Sequence, residues 1–531
     1  MPRSVRDIRG GVRRHWLIAV LLALAAALRG VVLLAYRPAL IFPDSLRYLQ
    51  FAQHFATGHW TPDMIRPSGY SILLIPAVAV KALALIPLAQ HLLGLAEGAM
   101  IYAVLTRRGS RRWLAAAAAV PVLFDPLQLD LEQYVLSDVC AAFFLLAALA
   151  VLAWRGNRAG RAALAGSGLL LGAAAVTRVD DVVLIVPALA YLAVIMRPWR
   201  RLAACAAMLA AGFLVPVAGY AGWFASAHGQ WGLTGYNSTF LYGRVVPFAD
   251  CAGLRLPSYE RPLCPAQPPA QRNYDFYMWS VRSPQWQFRP PPGMTRQAVA
   301  LDFSRRILAH QPLSYLAAVS ADSVYAFSPV RGNGPERYPA AYLKFQAGFP
   351  PYAEVETALR SYGDTAPAVQ PALARFLTGY GWFCYVPGPL LAAGLLAGVA
   401  GVAGVAGTRR SGRSGRSGRS GWPGGPRSAA LLCTGTALGA VVAATAFAPF
   451  DWRYQLPQLT VIPLAAAFGV MALTGPGPDG GRAGQPPGSA AADDRPAAAP
   501  EARFSGSHHR RLSRYQRTVA ASPSAKGVRG R

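Results

Sequence analysis

The stretch HWLIAVLLALAAALRGVVLLAY, from His15 to Tyr36, is an apolar run of about 20 residues, the length a helix needs to cross a hydrocarbon core of ~30 Å. Runs of this kind recur along the chain. They predict spans at residues 15–36, 83–106, 113–128, 138–154, 162–178, 181–197, 202–224, 381–406, 428–449 and 455–474, about ten in all. Lipid leaves helices and closed barrels as the only ways to pair every backbone group, so these runs predict an all-α polytopic membrane protein. Composition agrees: 53% of the 531 residues are hydrophobic and 14% charged, against roughly 25% charged in a soluble domain. The apolar stretch Tyr70 to Val80 is too short to cross and runs into Lys81. It reads as an interfacial or re-entrant helix of the first outer loop, residues 37–82.

The formal charge of +28 is concentrated in short loops and tails: Arg3 to Arg14, Arg107 to Arg112, Arg155 to Arg161, Arg197 to Arg201, Arg409 to Arg427 and Arg503 to Arg531. Every second connection is basic. This positive-inside pattern predicts a multi-pass protein of the plasma membrane with both termini cytoplasmic, and it argues against nucleic acid as the partner of the charge. Membrane lipids are the simpler partner, through the anionic inner leaflet. Basic residues before an apolar run also have the form of a signal peptide, but Tyr36-Arg37-Pro38 lacks a small-residue cleavage pattern, so the first span is read as uncleaved.

These limits divide the chain into a membrane core at 1–224, an extracytoplasmic domain at 225–380, C-terminal spans at 381–474 with a basic loop at 409–427, and a basic tail at 475–531. Residues 225–380 are too many for a structureless loop and are rich in Pro, Trp and Tyr. Within them Val299, Phe303, Ile307 and Leu308, then Leu316 and Val319 past Pro312, predict two amphipathic helices between Thr295 and Phe327 lying over the membrane core. The Ser-Gly-Arg repeat of Ser411 to Gly421 and the tail beyond Thr474 have the composition of disordered segments. Cys140, Cys205, Cys384 and Cys433 fall in or beside spans and need no role beyond packing. Cys251 and Cys264 lie in the outer segment, among prolines and turn residues on the oxidising side, and are expected to form a disulfide.

Charges beside apolar spans are costly and therefore mark candidate chemistry. On the outer side they are Asp44, Asp63, Arg66, Asp125, Asp130, Glu132, Asp138, Arg178, Asp180, Asp181, Asp451 and Arg453. Glu97 reads as a packed intramembrane polar residue, and His54 and His59 as surface residues. The most informative segment is Phe42-Pro43-Asp44-Ser45-Leu46-Arg47-Tyr48, closed by Arg66-Pro67-Ser68-Gly69-Tyr70. An acid just after the first span, an aromatic four residues on, and an R-P-x-G-Y box resemble the first outer loop of the GT-C superfamily of glycosyltransferases. Within it the chain is most similar to the lipid-carrier-dependent protein mannosyltransferase and aminoarabinose transferase type. Leu136-Ser137-Asp138-Val139 opens a span as the second acid of such enzymes does. Gly168-Leu169-Leu170-Leu171-Gly172 with Thr177-Arg178-Val179-Asp180 resembles their "G-L-x-x-G … T-R-P-(D/E)" signature, Val179 standing where proline is usual. Arg453-Tyr454 with Pro457 resembles an R-Y-x-x-P pattern.

The resemblance implies transfer of a sugar from a polyprenyl-phosphate donor to an extracytoplasmic acceptor with inversion, and the residues fit that chemistry. A phosphate-linked sugar has a good leaving group, so the main demand is to deprotonate the acceptor. Asp44 is the candidate general base, and partial desolvation at the interface is expected to raise its pKa; the same residue also has the form of a helix N-cap. Tyr48 shares its helix face and is a candidate to line the sugar site, and Tyr70, which closes the loop, is a further candidate to bind substrate. Arg66, Arg178 and Arg453, with Asp180 and Tyr454 beside them, are candidates to bind the donor phosphate. Each arginine has a simpler reading: Arg66 as a snorkelling anchor, Arg178 paired with Asp180 or Asp181, and Arg453 paired with Asp451. Asp138 either orients the acceptor, shares a metal with Asp44, or caps a span. The first loop holds no tight pair of acids, so a metal-independent reaction without a cofactor is favoured over one using a divalent cation. Two other functions stay open, a lipid-linked-sugar flippase or transporter and a non-catalytic envelope assembly protein of the same fold.

Overall fold

The computed structural model describes residues 15–333, 340–349, 355–363, 366–404 and 425–474. The chain is an α-helical polytopic membrane protein. Its first helix, α1 (Trp16–Ala35), is almost all Leu, Ala and Val, and Tyr36-Arg37 leaves it as strand β1, paired antiparallel with β2 (Ala368–Val369). The loop at 37–82, expected to face outward, carries α2 (Pro43–Ala56) and α3 (Gly69–Ala79). In α2, Ser45, Tyr48, Leu49, Ala52 and Phe55 recur at helical spacing and are buried, which docks this polar helix on the bundle.

The bundle continues through α4 (Leu85–Arg107), α5 (Arg112–Phe124), α6 (Pro126–Gln133), α7 (Asp138–Arg155), α8 (Arg161–Thr177), α9 (Ile185–Ile195) and α10 (Trp199–His228). The expected straight span at 113–128 is broken by 47° between α5 and α6. Pro126 drives Asp125 out of the helical region, and the Asp125 carboxylate then caps α6 by accepting the Leu127 N–H at 2.8 Å.

The segment at 225–380, expected to face outward and called the outer segment below, holds α11 (Asn237–Val245), α12 (Tyr274–Trp279), α13 (Arg296–His310), α14 (Pro312–Tyr325) and α15 (Val355–Tyr362), besides short turns. α13 and α14 occupy the stretch where two amphipathic helices were expected, and Pro312 separates them. α14 touches the bundle through the Tyr315 hydroxyl, which donates to the Ala446 carbonyl at 3.1 Å. Tyr242, Val245, Leu263, Tyr277, Val299, Phe303 and Ile307 form a small second core apart from that of the bundle. Cys251 and Cys264 are disulfide-bonded beside it, with Cα atoms 6.3 Å apart. The chain closes with α16 (Pro371–Phe383), bent by 51° into α17 (Gly388–Ala403), then α18 (Pro426–Phe447) and α19 (Leu456–Thr474).

Six of these helices are long and apolar enough to cross a membrane, eight if each bent pair is one span. The difference from the expected ten is α8 and α9, of 17 and 11 residues, joined by a 3-10 turn at Val179–Leu184 that carries Asp180 and Asp181. α8 packs closely on α10: a Cβ on Gly168 would strike the Leu209 carbonyl, and one on Gly212 the carbonyl of Ala165. The expectations of disorder at 411–421 and beyond 474 lie outside the described residues.

Candidate functional site

Four connections that the charge pattern assigns to the outer side converge with the outer segment on one cavity of about 690 Å³. Asp44, Tyr48, Arg66, Asp138, Arg178, Asp180, Arg453 and Tyr454 all line it. At its centre is Asp44, in the first turn of α2. Phe42, not Asp44, occupies the N-cap position, and the Ser45 hydroxyl accepts the Phe42 N–H at 2.9 Å while donating to the Val135 carbonyl at 2.8 Å. The Asp44 carboxylate is thereby left for other partners. Its Oδ1 accepts from Arg66 Nη2 and its Oδ2 from Arg453 Nη1, each at 2.9 Å, the second arginine lying 409 positions along the chain.

This corrects the expected electrostatics of Asp44. Burial does push its carboxyl up, but the guanidiniums of Arg66 and Arg453 outweigh it and hold the group at about 2. Without a bound ligand Asp44 is a fully ionised, weakly basic carboxylate. Tyr48, one turn on, is pushed up to about 12 by burial and by the Asp44 charge, and its hydroxyl lies 3.2 Å from Ser137 Oγ.

Arg66 is no snorkelling anchor. The loop that carries it is tied down: Asp63 accepts from Arg47 Nε at 2.6 Å and from the Ile65 N–H at 2.9 Å, and the Ser68 N–H donates to the Tyr220 hydroxyl at 3.0 Å. Gly69 of the R-P-x-G-Y box lies so close to the Val176 carbonyl that any side chain would collide with it, which packs the box against the C-terminal end of α8. Arg178 follows from that helix end. It pairs with Asp138 at the start of α7, more loosely with Asp180 at 3.4 Å, and its guanidinium lies 4.9 Å from the Tyr454 ring centre. Arg453 also meets Asp451, its Nε 3.2 Å from Oδ2 but without hydrogen-bond alignment. Burial raises the Asp451 carboxyl to about 6 against the pull of Arg453.

Tyr70, expected to bind substrate, instead stands behind the wall and does not line the cavity, because its buried side chain is turned to Gln90. Its hydroxyl donates to Gln90 Oε1 at 2.9 Å and its ring meets Tyr48 edge-on at 5.0 Å. His54 and His59 are exposed. Asp125, Asp130 and Glu132 are buried in the bundle away from the cavity. Asp125 takes a bidentate contact from Arg331, both bonds at 2.9 Å. Glu132 accepts from Arg29 Nη2 at 2.8 Å and lies 2.6 Å from His91 Nδ1.

Sequence reasoning missed the wall contributed by the outer segment. Phe240 of α11 and Tyr274, Asp275 and Trp279 of α12 line the cavity. Burial raises the Asp275 carboxyl, tempered by Arg453. The Tyr274-Asp275-Phe276-Tyr277-Met278-Trp279 run was visible as an aromatic cluster, but nothing local to it said which way it faced. Among the described residues no group of three or more His, Cys, Asp or Glu side chains is arranged to hold a metal ion. The arrangement can bind an anion on its guanidiniums, and it keeps carboxylates beside that anion to hold or move a proton.

No protein-family model matches the chain, and no curated protein matches it. Among solved structures it is similar to the S. cerevisiae protein O-mannosyltransferase Pmt1-Pmt2 complex bound to the sugar donor, at 17% identity over 46% of this chain, with a TM-score of 0.33. The match spans 37% of the length of that chain. It is also similar to ArnT from Cupriavidus metallidurans bound to undecaprenyl phosphate, at 16% identity over 85% of this chain and 77% of that one, with a TM-score of 0.29.

Proposed function

We propose that this chain is an inverting glycosyltransferase that moves a sugar from a polyprenyl-phosphate carrier to an extracytoplasmic acceptor. The observation that carries the reading is Asp44 shared between Arg66 and Arg453 in one cavity, with Arg178 and Asp138 on its wall. A phosphodiester entering this cavity competes with Asp44 for the guanidiniums, which suit its geometry. As Arg66 and Arg453 turn to the phosphate, Asp44 loses the cations that depress its pKa and is left in a partly desolvated site, so its basicity rises. It then takes the proton of an acceptor hydroxyl or amine. The acceptor atom bonds to the anomeric carbon from the face opposite the phosphate, and the carbon–oxygen bond to phosphate breaks. Its electron pair leaves on the polyprenyl phosphate, which the arginines hold. Charge neutralisation that a divalent cation would supply comes here from guanidiniums. Asp138, pinned by Arg178, orients the acceptor.

The test is transfer by the purified protein in lipid nanodiscs, with a panel of polyprenyl-phosphate sugars and hydroxyl or amine acceptors. Wild type transfers from at least one donor, and Asp44→Asn loses about 10² to 10⁴ of that rate, the share general-base catalysis usually supplies. No transfer from any donor, or an unchanged rate in Asp44→Asn, overturns the proposal.

A further inference from the structure

Arg66 touches more than Asp44. Its guanidinium lies against a pair of rings, 5.3 Å from the centre of Phe240 and 5.9 Å from that of Trp279, and the two rings meet edge-on with their centres 6.1 Å apart. We infer that Phe240 and Trp279 are positioning residues that hold the Arg66 guanidinium in place for the carrier phosphate, an inference that rests on the phosphate-binding role proposed above for Arg66.

The ion pair with Asp44 engages only Nη2 of Arg66, and the proposed chemistry requires that pair to open. Once it opens, a long side chain tethered by its backbone alone regains its rotamers, and each phosphate contact must then offset that entropy. The flat, weakly hydrated guanidinium is suited to stay against aromatic rings while its edge turns to a new anion. The two rings are also held rigidly to each other. Met278, the neighbour of Trp279, packs on Gly243 of α11 so tightly that a Cβ there would lie 2.6 Å from Sδ. The Asn273 side chain caps α12 by accepting the Phe276 N–H at 3.0 Å, and Trp286 Nε1 donates to the Met278 carbonyl at 3.0 Å. α11 and α12 therefore present both rings as one unit. Trp279 is 41% exposed although it belongs to this tightly packed turn, as a ring facing an open cavity would be.

Two readouts on the double variant Phe240→Leu plus Trp279→Leu test this in nanodiscs. The first is the rate at which phenylglyoxal, an arginine-specific dicarbonyl, labels each arginine, mapped by peptide mass spectrometry. Arg66 should label several-fold faster than in wild type, while Arg453, over Phe42 and Tyr454, labels as before. The second is affinity for undecaprenyl phosphate, which should weaken about 10-fold, the sum expected of two partly desolvated cation–π contacts. In transfer assays the loss should fall on KM more than on kcat. Trp279→Phe alone, which keeps a ring, should retain most of the affinity. Unchanged labelling of Arg66, or unchanged affinity in the double variant, overturns the inference. Wild type that binds no undecaprenyl phosphate, while Arg66 still labels faster in the variant, overturns the phosphate role and leaves the clamp on Arg66 standing.

Discussion

Asp44→Asn should tighten binding of the sugar-free carrier while it abolishes transfer. In the unliganded protein the Asp44 carboxylate holds the guanidiniums that the carrier phosphate needs. Its pKa is drawn from the usual 3.8 to about 2, on the order of 2 kcal/mol at ~1.36 kcal/mol per pH unit, after burial has already opposed it. The side chain is 16% exposed, so solvent screening removes part of that figure. Roughly 1 to 2 kcal/mol of attraction must therefore be given up when phosphate displaces Asp44, and the neutral amide releases it. Undecaprenyl phosphate should bind Asp44→Asn about 5- to 30-fold more tightly than wild type, measured by native mass spectrometry or thermophoresis in nanodiscs. Transfer by the same sample should fall by about 10² to 10⁴. In the free protein Asp44 stays ionised down to about pH 2, so a narrowing of the affinity gain as pH falls from 8 to 5 reports protonation of the Asp44 released in the complex. A damaged fold would lose both activities, so the opposite signs are the signature. Carrier affinity that is unchanged or weaker in Asp44→Asn refutes the competition between carboxylate and phosphate.

Other consequences follow from neighbouring contacts. Arg331 reaches Asp125 twice at 2.9 Å and donates to Gln455 Oε1 at 2.9 Å, beside Tyr454. Arg331→Ala leaves a buried carboxylate unpaired and should cost about 3–5 kcal/mol, read as a lower thermal midpoint in detergent; an unaltered midpoint contradicts this. Inside the bundle, Arg29→Leu or Glu132→Leu alone should be destabilising by a similar amount, about 3–5 kcal/mol, and the double change milder than the sum, in a double-mutant cycle on thermal midpoints. Asp451 has a folded pKa of about 6 against a usual 3.8, so the folded state binds more protons than the unfolded one in that window. Its contribution therefore makes stability fall as pH rises from about 4 to 6, and Asp451→Asn should flatten that part of the midpoint-versus-pH curve; an unchanged slope sinks the assignment.

Much of the membrane architecture was legible because its cause is local. Twenty apolar residues in a row mean a span whatever else the chain does, and the boxes at Asp44, Arg66, Asp138, Arg178 and Arg453 stood at the ends of such runs. What was lost depended on partners far along the chain. Burial of Asp44 at an interface was foreseeable, yet its sign of pKa shift was set by guanidiniums 22 and 409 positions away. Arg29 is a charge inside the first apolar run, and its partner Glu132 stands in another helix. The 3-10 turn after Arg178 takes up the start of the span expected at 181–197, and it places Asp180 on the cavity wall. Tyr70 carried the box's aromatic position but turned to Gln90, a contact with no signature in its own neighbourhood.

The most direct test of the account is a cryo-EM structure of the protein in nanodiscs with undecaprenyl phosphate. The account predicts phosphate density within hydrogen-bond reach of both Arg66 and Arg453, with the Asp44 carboxylate released from them and facing the cavity. Phosphate bound elsewhere, with Asp44 still bridging the two arginines, would contradict it.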